Sequence, residues 1–345
     1  MLHFECDYAE GAHPRILERL AATNLEQTDG YGVDPHCQRA RELILAQCQA
    51  PEADVHFLVG GTQVNTAIIA AGLRPWQGVL SAASGHINVH ETGAVEATGH
   101  KVLALPHRDG KVWAEAIDRA VSGHYADGNA EHMVQPWMVY LSNPTEYGTL
   151  YTKAELTAIS QVCRRWRVPL YVDGARLGYA LGAAGNDLFL SDYAALCDAF
   201  TVGGTKVGAL FGEALVITSP ELNRDFRYTI KQRGGMLAKG RLLGIQFEVL
   251  FEDGLYQALG EKADRQAMAL RRAFEEKDCA MLLDSRTNQQ FPILSRAQQA
   301  ALAEKYQFSY WEPVAEGRGA VRFCTSWATA DEALERLMAD IRTKL

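Results

Sequence analysis

A single lysine, Lys206, stands in the run Thr201-Val202-Gly203-Gly204-Thr205-Lys206-Val207-Gly208 with no other charged residue beside it. An amine in a glycine-lined, apolar setting is desolvated. Desolvation favours its neutral, nucleophilic form, the form that attacks a carbonyl to make a Schiff base. A solvated loop lysine is the plainer alternative, but such lysines usually have polar neighbours. A second segment, Tyr171-Val172-Asp173-Gly174-Ala175-Arg176-Leu177, ends an apolar run in an acid and sets an arginine three residues on. Asp173 and Arg176 either serve a ligand or pair with each other.

Two more segments carry polar groups. Gly60-Gly61-Thr62-Gln63-Val64-Asn65 follows an apolar run and opens a helical pattern. The free backbone N–H groups and positive end of a helix suit a phosphate. The spacing is neither that of a dinucleotide fingerprint nor that of a P-loop, and a plain turn with Thr62 as N-cap is the alternative. In Gly85-His86-Ile87-Asn88-Val89-His90-Glu91-Thr92-Gly93, two histidines lie one turn apart. No third ligand is identifiable from spacing, so a metal is not expected. His86 is read as stacking on a flat ligand or moving a proton, and His90 as structural.

Alternating elements must position these groups. Strands are predicted at Val55–Val59, Gly78–Ala82, Lys101–Leu105, Trp137–Leu141, Val168–Asp173, Asp198–Val202 and Ala214–Thr218. Helices are predicted at 62–73, 87–98, 112–121 and 152–166; in the last, Leu156, Ile159, Val162 and Cys163 recur at helical spacing. Strands alternating with helices imply a largely parallel sheet covered on both faces. The candidate groups then fall at strand C-terminal ends, where open α/β sheets bind ligands. Beyond about Gly235 the texture changes to long helices, 237–252 and 257–276, followed by short strands and two more helices, a smaller α+β unit.

Composition bounds the function. With 345 residues, 48% hydrophobic and 22% charged, the chain can build a full core without staples. A net charge of -8 and the lack of any basic block argue against nucleic acid or a membrane surface. Seven scattered cysteines without a C-x-x-C pair read as free thiols in a reducing compartment. The N-terminus lacks the apolar run of a signal peptide, and no segment approaches ~18 uninterrupted apolar residues, so a cytoplasmic location is expected.

Taken together, the segments resemble the fold-type-I pyridoxal-5′-phosphate (PLP) enzymes. More narrowly, they resemble the threonine aldolase group of the aromatic amino acid β-eliminating lyase/threonine aldolase family. The resemblance rests on Asp7–Pro14, Tyr31-Gly32-Val33-Asp34, the Gly-Gly-Thr-Gln turn, His86 followed by Glu91, Asp173-Gly174-Ala175-Arg176, Lys206, Arg233-Gly234-Gly235-Met236 and Val321-Arg322-Phe323, in order along nearly the whole chain. It implies an α/β fold, with a mostly parallel seven-stranded sheet and a smaller α+β C-terminal domain. It divides the chain into an N-terminal segment, 1–25, a large PLP-binding domain, 26–235, and a small domain, 236–345.

The resemblance also implies roles. Lys206 would hold PLP as a Schiff base, Asp173 would pair with the pyridine nitrogen, and His86 would stack on the ring. Gly61, Thr62 and Arg233 would serve the cofactor phosphate. Asp7, Tyr31, Arg176 and Arg322 would meet the substrate, the two arginines at its carboxylate, with Arg176 also counted among the cofactor contacts. Tyr31, Lys231 and Arg233 would reach across a homodimer or homotetramer with shared sites. The activity implied is cleavage of a β-hydroxy-α-amino acid to glycine and an aldehyde.

The chain departs from the family pattern in two places. Cys6 stands where a serine is usual, and Ser142-Asn143-Pro144-Thr145-Glu146-Tyr147 carries no histidine where threonine aldolases commonly have one. Glu146 could replace that base only if burial raised its pKa; otherwise it is a surface charge. Two competing readings are β-elimination from another amino acid, such as an aromatic one, and, in a different class, a nucleotide-binding module without PLP.

Overall fold

The computed structural model describes all 345 residues. Its centre is a seven-stranded sheet whose spatial order is Asp54–Leu58, Glu213–Ile217, Ala199–Gly203, Leu170–Asp173, Gln135–Ser142, Gln77–Ala82 and Lys101–Leu105. Only Glu213–Ile217 runs against the rest, pairing antiparallel with both neighbours. Side chains alternate across the strands, so each strand serves two cores. Val139, Leu141, Val172 and Phe200 join one cluster, and Met138, Tyr140, Tyr171 and Ala199 the other.

Local chemistry explains many boundaries. The helix Lys153–Trp166 begins at a capping box in which Thr152 and Glu155 satisfy each other's backbone N–H, and ends at Arg167 in the left-handed region. The loops after Leu170–Asp173 and Ala199–Gly203 touch so closely that glycine is required at both. A Cβ on Gly174 would lie 2.0 Å from the Thr201 carbonyl oxygen, and one on Gly203 would lie 2.3 Å from that of Ala175.

Several expected elements differ. The predicted helix 87–98 is only His86–Val89; Thr92 and Gly93 then turn with positive φ, and Glu96–Thr98 is a 3-10 turn. The polar, glycine-broken run His90-Glu91-Thr92-Gly93 cannot hold a continuous helix. The predicted helix 112–121 shifts to Ala114–Ala126, leaving Val112 to donate its N–H to the Tyr151 hydroxyl at 2.8 Å. The helix opening after the first large-sheet strand, Gly61–Gly72, is capped by Gly60, not by Thr62.

The second, smaller sheet is antiparallel, with Arg318–Cys324 between Ile293–Ser295 and Ser309–Ala315. Its core holds Phe4, Leu270, Phe274, Phe323, Leu337 and Ile341. Leu243 to Ala263, although past residue 235, contribute to the core of the large sheet. The N-terminal segment bridges the two: Leu2–His3 pairs with Tyr306–Gln307, whereas Ala12 and Ile16 pack with the large sheet. All seven cysteines are free. No helix is long and apolar enough to cross a membrane.

Candidate active site

The C-terminal ends of the parallel strands open into a pocket of about 240 Å³. Its walls come from five of these ends. Gly60, Gly61 and Thr62 follow the first strand, His86 follows Gln77–Ala82, and Ser142 and Asp173 close their own strands. Thr205 and Lys206 follow Ala199–Gly203. The pocket shares His86, Glu146, Arg176 and Lys206 with a wider cleft of about 750 Å³, walled by Tyr147, Trp311 and Arg322 among others.

Asp173 accepts from three protein donors and keeps acceptor capacity on Oδ1. The Tyr140 hydroxyl donates to Oδ2 at 2.7 Å, Asn65 Nδ2 to the same oxygen at 3.1 Å, and the Ala175 N–H to Oδ1 at 2.9 Å. Three donors thus converge on one buried carboxylate and fix its orientation. Asn65 also donates to Glu91 Oε1 at 2.7 Å, and that oxygen lies 2.8 Å from His86 Nδ1. A chain Asp173–Asn65–Glu91–His86 thus fixes the imidazole and leaves Nε2 as its unbonded ring nitrogen.

Lys206 is held through its backbone: the Tyr179 hydroxyl donates to its carbonyl, and the Tyr256 hydroxyl to that of Gly203 at 2.9 Å. Burial pushes the Lys206 amine below its ordinary pKa, and the Arg176 guanidinium pushes the same way. Beside it lies Glu213, a buried acid that burial pushes up to about 8 against the pull of Lys206.

The alternative reading, an ion pair between Asp173 and Arg176, does not hold. Arg176 pairs with Asp7, through Nε to Oδ2 at 2.7 Å and Nη2 to Oδ1 at 2.9 Å. Asp7, expected to meet the substrate, is 0% exposed and also accepts from Asn288 at 2.9 Å, so it stands behind Arg176 and not in the pocket. Tyr31, expected at the substrate too, lines no part of this pocket in its own chain. It lies exposed, with Lys231 Nζ 4.7 Å from its ring centroid. Arg233 sits in an adjoining groove with Thr62, Gln63 and Thr66. Arg322 borders the wider cleft over the Trp311 ring, with Nη2 donating to the Glu5 carbonyl at 3.0 Å. His90 lies in the cleft, its ring centroid 5.6 Å from that of His86.

Glu146 is not a surface charge. It is 8% exposed and lines both cavities. Sequence reasoning passed over Tyr140 and Glu213. Tyr140 is hidden in an apolar strand. Glu213 did carry a signal, an acid opening an otherwise apolar strand seven residues after Lys206.

The pocket fits PLP. At Gly60 and Gly61 an added Cβ would meet no protein atom within 4 Å, so bare backbone at a helix N-terminus faces open space, as a phosphate cradle requires. A fixed carboxylate, an imidazole and a desolvated amine share that pocket.

Comparison with known proteins agrees. A profile of the family described as beta-eliminating lyase matches residues 5–297. The low specificity L-threonine aldolase of Pseudomonas aeruginosa is 29% identical over 343 residues, covering 98% of this chain and 96% of its own. The solved structure of Leishmania major threonine aldolase is 44% identical, with a TM-score of 0.97, covering 100% of this chain and 99% of its own. Aspartate aminotransferase from Thermus thermophilus, at 15% identity and a TM-score of 0.72 over 100% of this chain and 92% of its own, shares the fold.

Proposed function

The chain belongs to the beta-eliminating lyase family, and on that footing we propose that it is a PLP-dependent aldolase, cleaving a β-hydroxy-α-amino acid of the threonine or allo-threonine type to glycine and an aldehyde. The observation that carries this reading is the placement of Lys206, Asp173 and the bare Gly60–Thr62 backbone around one pocket, in a chain similar over its full length to a threonine aldolase. When bound, PLP supplies an electron sink for the pair released at Cα.

The protein's own groups supply the rest. Lys206 would hold the cofactor and move a proton at Cα. Asp173, held as an acceptor by Tyr140, Asn65 and Ala175, would keep the ring nitrogen protonated. His86, oriented through Glu91, would pack on the ring. Gly61 and Thr62 offer backbone N–H groups to the phosphate, with Arg233 nearby. Arg176 has an Nη1 free of the Asp7 pair for the substrate carboxylate, and Arg322 faces the cleft beside it.

The cleft beyond the pocket is aromatic, with Trp311 packed edge-on against Tyr147 at 5.6 Å between ring centroids. It supports acceptance of a bulkier β-hydroxy amino acid; the lack of a histidine at Thr145-Glu146 underlies the further proposal that L-allo-threonine or such a bulkier substrate is preferred over L-threonine. The assembly proposed is a homodimer or homotetramer with shared sites, in the cytoplasm. The deciding experiment is product analysis on threonine, allo-threonine and phenylserine. Glycine plus an aldehyde supports the aldolase; pyruvate or another keto acid with ammonia would mean β-elimination instead.

A further inference from the structure

We propose that Glu146 is the catalytic group that receives the β-hydroxyl proton in this chain; the proposal rests on the aldolase reading above. Three observations converge on it.

The first is anchoring. The Ser142 hydroxyl donates to Glu146 Oε1 at 2.6 Å, and the His86 backbone N–H donates to the same oxygen at 2.9 Å. Both bonds fall on one oxygen, which holds the carboxylate rigid and leaves Oε2 for the pocket. The second is place. Glu146 lines the narrow pocket and the wider cleft together with His86, Arg176 and Lys206, so it stands where a substrate side chain passes from one to the other. The third is the state of its neighbours. The Thr145 hydroxyl is taken by Thr149 Oγ1 at 2.7 Å, and the His86 ring, tied to Glu91 through Nδ1, is assigned to the cofactor ring in the reading above. Burial pushes the Glu146 carboxyl above the ordinary range, opposed by the Ser142 bond, and a carboxylate of raised pKa is a stronger base.

The step balances. The O–H proton passes to the Glu146 carboxylate while the Cα–Cβ bond breaks and the β-carbon becomes the aldehyde carbon. The electron pair stays on the glycine fragment, and a proton is returned to Cα, so one substrate gives one glycine and one aldehyde with no co-reactant.

Glu146→Gln separates this role from a structural one, because the amide oxygen still accepts from Ser142 and His86 while the ionisable group is gone. Two measurements are paired on the holoenzyme. One is aldehyde release from phenylserine and allo-threonine. The other is glycine binding, read as the change in the cofactor's visible spectrum together with exchange of the glycine Cα proton by NMR; glycine has no β-hydroxyl. The expected result is a 10²- to 10⁴-fold fall in cleavage, the usual scale for a lost general base, with glycine binding and exchange within about threefold of wild type. Cleavage within threefold of wild type would overturn the proposal, as would parallel loss of cleavage, glycine binding and exchange, which is the signature of a scaffold residue. A wild-type protein that exchanges glycine but releases no aldehyde from any β-hydroxy amino acid would instead remove the aldolase reading beneath it.

Discussion

Asp7 and Arg176 form a two-bond ion pair, at 2.7 and 2.9 Å, that ties the N-terminal segment to the turn after the strand Leu170–Asp173. Burial would raise the Asp7 carboxyl, but the Arg176 guanidinium, together with Lys206 and Asn288, outweighs it and the net shift is downward. The pair presets the guanidinium plane, so on the proposed reading a substrate carboxylate would meet an arginine already in position. Asp7→Ala leaves a buried guanidinium uncompensated. We expect a stability loss of about 3–5 kcal/mol by urea unfolding. Asp7→Asn, which retains an acceptor, should raise KM at least tenfold with little change in cofactor affinity. A variant with unchanged KM would show that Arg176 needs no such partner.

Lys206→Ala should abolish turnover. After borohydride treatment, the wild-type protein should carry the cofactor on the peptide containing Lys206, by mass spectrometry, and the variant should carry none. Attachment at any other lysine of the wild type would displace Lys206 from its assigned role.

Asp173→Asn tests the acid proposed to pair with the cofactor's ring nitrogen. Either orientation of the new amide puts an NH₂ against a donor, because Tyr140 and Asn65 donate on one side and the Ala175 N–H on the other. The substitution therefore costs about 1–3 kcal/mol of stability from the unmet bonds. It should also lower kcat by several orders of magnitude, on the scale of removing a preorganised charge. A fall of under roughly tenfold would leave Asp173 a purely structural residue.

Glu213 makes apoprotein stability depend on pH. Its folded pKa, about 8, lies above the ordinary 4.5, so the stability its neutral form contributes is complete below about 4.5, declines above that, and is gone once the pH passes about 8. Lys206, whose pKa is lowered, acts in the opposite sense, so the comparison must be with Glu213→Gln, which keeps the lysine. From pH 5 to 9 the wild type should lose stability relative to the variant, by on the order of a few kcal/mol in urea unfolding. Parallel curves would mean that Glu213 is not held neutral.

Shared sites predict complementation. Arg233→Ala and Lys206→Ala should each be nearly inactive alone, and refolding a mixture should restore measurable turnover if Arg233 serves a neighbour's phosphate site. Light scattering should show a dimer or tetramer. A fully active monomer would contradict both.

The groups readable from the chain alone were those whose role is local. Lys206 among glycines, Asp173 closing an apolar strand and Gly60-Gly61 opening a helix announce themselves because strand–turn–helix chemistry acts over a few residues. The continuous apolar run Trp137–Leu141 likewise marks a strand buried on both faces before any packing is known. Partner choice was decided elsewhere. Arg176 pairs with Asp7, 169 residues away, and not with Asp173, three residues away, whose carboxylate accepts from Asn65, Tyr140 and Ala175. Glu146 is legible as a candidate base where threonine aldolases commonly carry a histidine, but its burial is decided only when the strand ends converge and Ser142 and His86 close around it. Burial, and with it the proton affinity of Glu146, Lys206 and Glu213, depends on distant segments arriving at the same place, and local spacing carries no record of that arrival.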